Sequence, residues 1–473
     1  RLALLALLAS AAVLIVAAPT ASAAVRLTAG PKAYVDSQKQ RWTPAGSRLD
    51  GRRVTTARKL SPLLGSPDLY TTVAVGARRA RIPVSKPGRY AVTLYTVDPG
   101  RSGTRRVFDM LSVGTRGGKR VALPRRRVTV FGGTKDETVP IHAAAEIVVP
   151  GRVLELRFRP VRGDVAISAI EVQRLGGVDT APLREAWADG FDGAAGAPPD
   201  VARWHTVTGD GWGDIAGPQL QAFTPRPENV SLNGQGQLVI AARKDRTLPD
   251  GSPGYTSARI DTFQEFDLTR ARVSVTMKTP PGRGLWSTFW TYFDRPTEPT
   301  SGEIDVAEMI GREQGVLHGF VHGMVPGPYP WRYNNGAVHK QKAALSDATH
   351  TYSVNTEPGL VEFYLDGRQY GSVARADLPA TAPWIITPAL KHRLILSLTL
   401  GGWGGPVADD TPMPALLTVD RVSGFDLSAF NEFASRTLPS SNLPPFDFRA
   451  LSEPVVLFEV DFRTRRHAPA EAR

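Results

Sequence analysis

The 473-residue chain contains no cysteine, which excludes disulfides, thiolate metal sites and a cysteine nucleophile. With 42% hydrophobic residues it has enough apolar material for packed interiors, and its length fits two or three domains rather than one. The net charge of +12 is uneven: residues 25–175 hold 29 Lys+Arg against 11 Asp+Glu, and residues 176–473 hold 27 against 34.

Residues 2–18 are apolar except for Ser10 and lead into Ala21-Ser22-Ala23. Residues 1–24 therefore read as a secretory signal peptide with a small-residue cleavage site, Arg1 being the remnant of a basic leader. A membrane anchor, the alternative, needs about 20 apolar residues with suitable flanks. The expected location is extracellular or cell-wall associated, with no membrane contact after cleavage.

Residues 25–175 alternate in short runs such as Arg89-Tyr90-Ala91-Val92-Thr93-Leu94-Tyr95 and Val153-Leu154-Glu155-Leu156-Arg157-Phe158, separated by Gly/Pro turns. That pattern predicts a β-sandwich. Its basic excess suits an anionic polymer, such as a sulfated or uronic polysaccharide or a cell wall, or else is a surface bias without a message. No nucleic-acid partner is expected, because no aromatic-basic recognition motif stands out. Residues 176–184 look like a linker. Residues 185–428 form a larger all-β domain, richer in aromatics, and residues 429–473 are a tail with one strand-like run and no assignable role.

The most specific signal is Gly302-Glu303-Ile304-Asp305-Val306-Ala307-Glu308-Met309. On a regular strand Glu303 and Asp305 share a face and Glu308 points away. One bulge residue near Val306-Ala307 brings all three carboxylates to the same side. Four effective steps of about 3.3 Å, less the reach of two side chains, leave a gap near 5 Å between Glu303 and Glu308. A gap of about 5–5.5 Å suits a retaining glycosidase. In that chemistry Glu303 is the nucleophile and Glu308 the acid and then the base, while Asp305 bonds to the nucleophile and helps keep Glu308 protonated. Read alone, the same three carboxylates also fit a solvated polar face or calcium ligands.

The surrounding sequence resembles glycoside hydrolase family 16, laminarinase type, across about residues 185–428. The matching segments include Trp212-Gly213, Pro227-Glu228-Asn229-Val230, Tyr255-Thr256-Ser257-Ala258-Arg259-Ile260, Gly284-Leu285-Trp286-Ser287-Thr288-Phe289-Trp290, His318-Gly319-Phe320-Val321-His322-Gly323 and Leu365-Asp366-Gly367. The resemblance implies a concanavalin-like jelly-roll sandwich with an open cleft. It implies that Trp286 stacks on the sugar beside the cleavage point, that His322 tunes the carboxylates, and that Asn229, Arg259 and Trp290 line the cleft. It also admits a structural calcium, without assignable ligands. Departures at Arg295-Pro296-Thr297-Glu298-Pro299-Thr300-Ser301, Thr356, Ser397 and Gln219 are expected to touch subsites rather than the three carboxylates. Residues 25–175 resemble the malectin-like carbohydrate-binding module through Tyr34-Val35-Asp36-Ser37, Asp68-Leu69-Tyr70, the run ending at Tyr95, and Ile167-Ser168-Ala169-Ile170-Glu171-Val172. That likeness implies a sugar site with Tyr70, Tyr95 and Asp164, although the tyrosines could equally be strand aromatics.

The resulting expectation is an all-β, monomeric, endo-acting retaining hydrolase of a β-linked polysaccharide, β-1,3-glucan first. A galactan such as agar, porphyran or carrageenan is the alternative substrate. Transglycosylation is another outcome of the same intermediate, and a non-catalytic polysaccharide-binding protein is the reading from a different class. No cofactor is required for such hydrolysis.

Overall fold

The computed structural model describes residues 24–426 apart from 57–58, 61–64, 101–104, 117–118, 131–136, 139, 177–184, 212, 215–216, 248–252, 264, 294–301, 326–330 and 388–389. The expected signal peptide, nearly all of the linker, and the tail thus lie outside the described residues. The architecture is all-β: strands with five short 3-10 turns, and no α-helix among the described residues.

In the first sandwich a six-stranded sheet packs on a four-stranded one. Strand Val153–Arg162 shows how sequence sets the layers, with Leu154, Leu156 and Phe158 in the core and the intervening residues outside. The second sandwich joins an eleven-stranded and an eight-stranded sheet. Strand Ala415–Asp426 sits inside the larger sheet and pairs with Glu185–Asp189, so the two ends of this sandwich are hydrogen-bonded to each other. Between its sheets lies one large apolar core, including Phe289, Ile304, Val306, Ala307, Phe363, Leu394, Leu396 and Leu398.

The first sandwich sits on the outer face of the larger sheet, over strands Leu360–Leu365 and Arg368–Ala374. Trp42, Tyr70, Val73 and Tyr95 bury there against Leu360, Ala374 and Ala376. Gly65 is needed at the join, because a Cβ would fall 1.9 Å from the Leu378 carbonyl oxygen. Around this apolar patch runs a polar network. Arg126 donates to Glu362 Oε1 at 2.7 Å, to Gln369 Oε1 at 3.0 Å and to the Tyr364 hydroxyl. Arg270 bridges Glu146 of the first sandwich and Glu357 of the second, the latter at 3.2 Å. Removing one partner of such a buried set strands the other charge, at a cost of about 3–5 kcal/mol.

Burial pushes the Glu357 carboxyl up to about 7, although the Arg270 guanidinium pulls the other way. Folded protein therefore holds a proton on Glu357 that unfolded chain releases near pH 4.5. The contribution of this group to stability is full below about pH 4.5 and is lost as pH rises to about 7. We expect Glu357→Gln to melt progressively higher, relative to the unchanged protein, as pH is raised through that window. Calorimetric melting of both proteins at several pH values checks this; a constant difference contradicts it.

Candidate active site

The site lies on the outer face of the eight-stranded sheet. Its central strand, Gly302–Ile310, is flanked by Leu285–Phe293 and Val316–Val325. Phe289 pairs with Ala307 and Trp290 with Asp305, so Val306 has no counterpart. The ladder on the other side also shifts between Asp305 and Glu308. Val306 and Ala307 both pack in the core beside Ile304 and Met309. The extra residue restores parity, and Glu303, Asp305 and Glu308 face outward together.

Three rows cross this face: Tyr292, Glu303, His322 and Asn334; then Trp290, Asp305, Phe320 and Gly336; then Thr288, Glu308, His318 and Val338. Asp305 and Glu308 are 2% and 5% exposed, whereas Glu303 is half-buried. His322 Nε2 lies 2.7 Å from Asp305 Oδ2, and its Nδ1 lies 2.6 Å from Asn334 Oδ1. With the amide so oriented Nδ1–H donates to Asn334; turned over, the amide donates to Nδ1.

Trp286 Nε1–H donates to Glu308 Oε1 at 3.1 Å, which fixes the orientation of that carboxyl. The Trp286 ring meets Trp403 edge-on at 6.0 Å, and Trp403 lies 4.6 Å from His318. The Arg259 guanidinium stacks over Trp290 at 4.7 Å. Burial pulls Arg259 down to about 10, against the opposing pull of the Asp261 and Glu303 charges, so it remains a cation at neutral pH. One oxygen each of Glu303 and Asp305 and one nitrogen of His322 lie within 4.8 Å of one another, a set of donors that could hold a metal ion. The contact between His322 and Asp305 is already at hydrogen-bond length.

A family model described as glycosyl hydrolases family 16 matches residues 220–413. The beta-glucanase of Rhodothermus marinus is 32% identical over 256 residues, which cover 52% of this chain and 86% of that protein. The chain belongs to glycosyl hydrolase family 16. The glucan endo-1,3-beta-glucosidase A1 of Niallia circulans is 28% identical over 265 residues, covering 50% of this chain and 37% of that protein. The solved structure of the laminarinase from Rhodothermus marinus is 30% identical, with a TM-score of 0.44, covering 52% of this chain and 97% of that one.

Of the residues singled out from sequence in this family-16 chain, the three carboxylates, Trp286, Trp290, Arg259 and His322 converge on one face. Asn229 does not line the cleft. It is 0% exposed, and its amide accepts from Thr224 at 2.6 Å and Arg226 at 2.9 Å and donates to the Ala241 carbonyl at 2.9 Å and Thr256 at 3.0 Å. Tyr70 and Tyr95 form no sugar platform either, being 0% and 1% exposed. The Tyr70 hydroxyl donates to Asp377 at 2.7 Å across the join between sandwiches, and that of Tyr95 donates to Glu171 at 3.0 Å. Asp164 is exposed, so it shares no surface with the two buried tyrosines. Thr356 is 0% exposed within the opposite sheet, away from any subsite. Residues 295–301 and Trp212 lie outside the described residues.

Asn334 and Trp403 were missed. Asn334-Asn335-Gly336 has the composition of a turn, yet it lies inside strand Trp331–Lys340. Trp403 had a usable signal, the run Gly401-Gly402-Trp403-Gly404-Gly405. There φ is +78° at Gly401, +50° at Gly402 and +76° at Gly405, a path that only glycines follow without strain.

Asn229→Ala would leave several buried partners unsatisfied and is expected to cost about 1–3 kcal/mol. Urea unfolding should register that loss with KM for polysaccharide unchanged; an altered KM at full stability would return Asn229 to the cleft.

Proposed function

We propose that the protein is a secreted, monomeric, endo-acting glycoside hydrolase that cleaves β-1,3-glucan with retention of configuration. The observation that carries the reading is the common outward face of Glu303, Asp305 and Glu308, with the Glu308 carboxyl held by the Trp286 indole N–H. The printed names of the relatives, a beta-glucanase and a glucan endo-1,3-beta-glucosidase, support the substrate class.

In this proposal a carboxylate oxygen of Glu303, close to the Arg259 cation, attacks the anomeric carbon. Glu308 gives its proton to the leaving glycosidic oxygen, so the bond breaks as the glycosyl ester forms. Glu308, now ionised, takes a proton from water, and the resulting hydroxide displaces Glu303 from the opposite face. Two inversions give net retention. Asp305 acts as a positioning residue that hydrogen-bonds the nucleophile, and His322, anchored by Asn334, holds Asp305. Trp286 stacks on the sugar beside the cut, and Trp290 and Arg259 line the cleft. The first sandwich, malectin-like in sequence, is an accessory polysaccharide-binding module. The chemistry needs no cofactor.

Glu308→Ala should lose about 10²–10⁴-fold in rate on polysaccharide. It should lose far less on an aryl glycoside whose leaving group needs no proton, whereas Glu303→Ala should be inactive on both. NMR of the first product should show the β-anomer, and sizing of products from laminarin, agarose and carrageenan should show chain shortening on laminarin. An α-anomer first product would remove retention. Shortening of agarose or carrageenan alone would transfer the reading to a galactan.

A further inference from the structure

The first sandwich presents an arginine-rich sheet face that the proposed hydrolysis does not use. Along strand Val153–Arg162, Glu155, Arg157 and Arg159 point away from the core. Register places Arg81 opposite Glu155, Arg79 and Leu111 on either side of Arg157, Asp109 opposite Arg159, and Arg127 opposite Asp109. Five guanidinium groups and two carboxylates therefore share one sheet face, a net charge of +3.

The two signs are not equally available to a ligand. Asp109 and Glu155 are each 7% exposed, whereas the side chains of Arg81, Arg127, Arg157 and Arg159 are 55%, 57%, 58% and 66% exposed. Arg127 and Arg159 are tied to Asp109, at 2.7 and 2.6 Å. Burial works against the Asp109 charge, but these two arginines outweigh it and hold the carboxyl below its ordinary range. Arg81 and Arg157 lie 3.8 and 3.7 Å from Glu155, farther than Arg127 and Arg159 lie from Asp109, and more than half of each side chain is exposed. Arg79 lies directly across from Arg157, a juxtaposition of like charges that an anion between them would relieve.

The part of this surface formed by Arg79, Arg81 and Arg157 lies on the strands farther from the join between the sandwiches. Strand Arg79–Pro83 is the far edge of its sheet, and Arg126, which contacts the second sandwich, lies on the opposite edge strand. We propose that this face binds an anionic polysaccharide, one bearing carboxylate or sulfate groups along its length, and so retains the enzyme in a matrix of mixed polymers. Neighbouring positions repeat about every 4.8 Å across strands and about 6.7 Å along them, a grid suited to a regularly charged chain. The planar fork of arginine matches carboxylate and sulfate oxygens in pairs. Duplex DNA fits less well, since the patch offers no helix for a major groove, and single strands would lack aromatic stacking residues.

The choice of a polysaccharide over other polyanions rests on the proposed hydrolase function, while the binding measurement does not depend on hydrolysis. The full chain is titrated by calorimetry with polygalacturonate, dextran sulfate, laminarin and duplex DNA, from about 20 to about 300 mM NaCl. Binding to polygalacturonate or dextran sulfate is expected, weakening steeply with salt. The triple variant Arg79→Gln, Arg81→Gln, Arg157→Gln, which leaves the Asp109 cluster intact, should bind at least about tenfold more weakly, with laminarin hydrolysis unchanged. Should that variant fail to fold, Arg157→Gln alone should lose about threefold. The proposal is overturned if the unchanged protein ignores both anionic glycans at low salt, if the variants bind as it does, or if DNA binds more tightly than either glycan. Loss of laminarin hydrolysis with anionic binding intact would instead sink the hydrolase reading.

Discussion

A single inserted residue governs the geometry of the cleft. A strand has a period of two, and the interval from Glu303 to Glu308 is odd, so an unbroken strand would drive one of these carboxylates into the core beside Phe289 and Leu396. An ionised carboxylate there would have no compensating charge, and burying it is far costlier than losing one ladder hydrogen bond. With Val306 and Ala307 both packed inward, the pattern is corrected and Ile304, Val306, Ala307 and Met309 all reach the core. The neighbouring strands then complete the face from either side, Trp286 and Trp290 from one and Phe320 and His322 from the other.

This arrangement was legible because the strand itself contains the conflict. Ile304, Val306, Ala307 and Met309 demand one side, the three acids demand the other, and only a bulge satisfies both. Residues whose environment is made by distant segments were harder to read. Tyr70 ends a short 3-10 turn, Pro67–Tyr70, whose sequence looks the same whether it faces solvent or a partner surface, and that surface is contributed by Asp377, some three hundred positions away. Asn229 looks like a turn residue with a free amide, but the buried hydroxyl of Thr256 and the carbonyl of Ala241 claim it. The turn-like Asn334-Asn335-Gly336 stays extended because of packing: a Cβ at Gly336 would lie 2.3 Å from the Phe320 ring.

The join between the two sandwiches has a composition unlike that of a flexible tether. Its centre is aromatic, with Trp42 and Tyr95 meeting edge-on at 5.0 Å, and its rim is charged. Buried ion pairs contribute little net stability against apolar substitutes, yet any sliding of one sandwich over the other would leave Arg126, Arg270, Glu146 or Glu362 without its partner. Such a contact favours one register and penalises the rest. The first sandwich is accordingly held at a defined orientation to the cleft.

That orientation bears on the cleft through one element. Strand Trp331–Lys340 is the edge of the eight-stranded sheet, and its side chains alternate between two environments. On the cleft side Asn334 contacts His322, which contacts Asp305. On the other side Asn335 borders a cavity of about 30 Å³, large enough for about one water, shared with His142 of the first sandwich and with Ser372 and Asp377 of the second. His142 lines that cavity, its backbone N–H donating to Ser372 at 3.0 Å and its ring lying 3.1 Å from Asp377. The two faces of this strand are therefore supported by different parts of the chain, and a shift of the first sandwich would reach Asn334 through a single backbone step. Docking and the alignment of the carboxylates are in this sense one packing problem, since a strand with no hydrogen-bonded neighbour beyond it among the described residues depends on what lies against its side chains for its position.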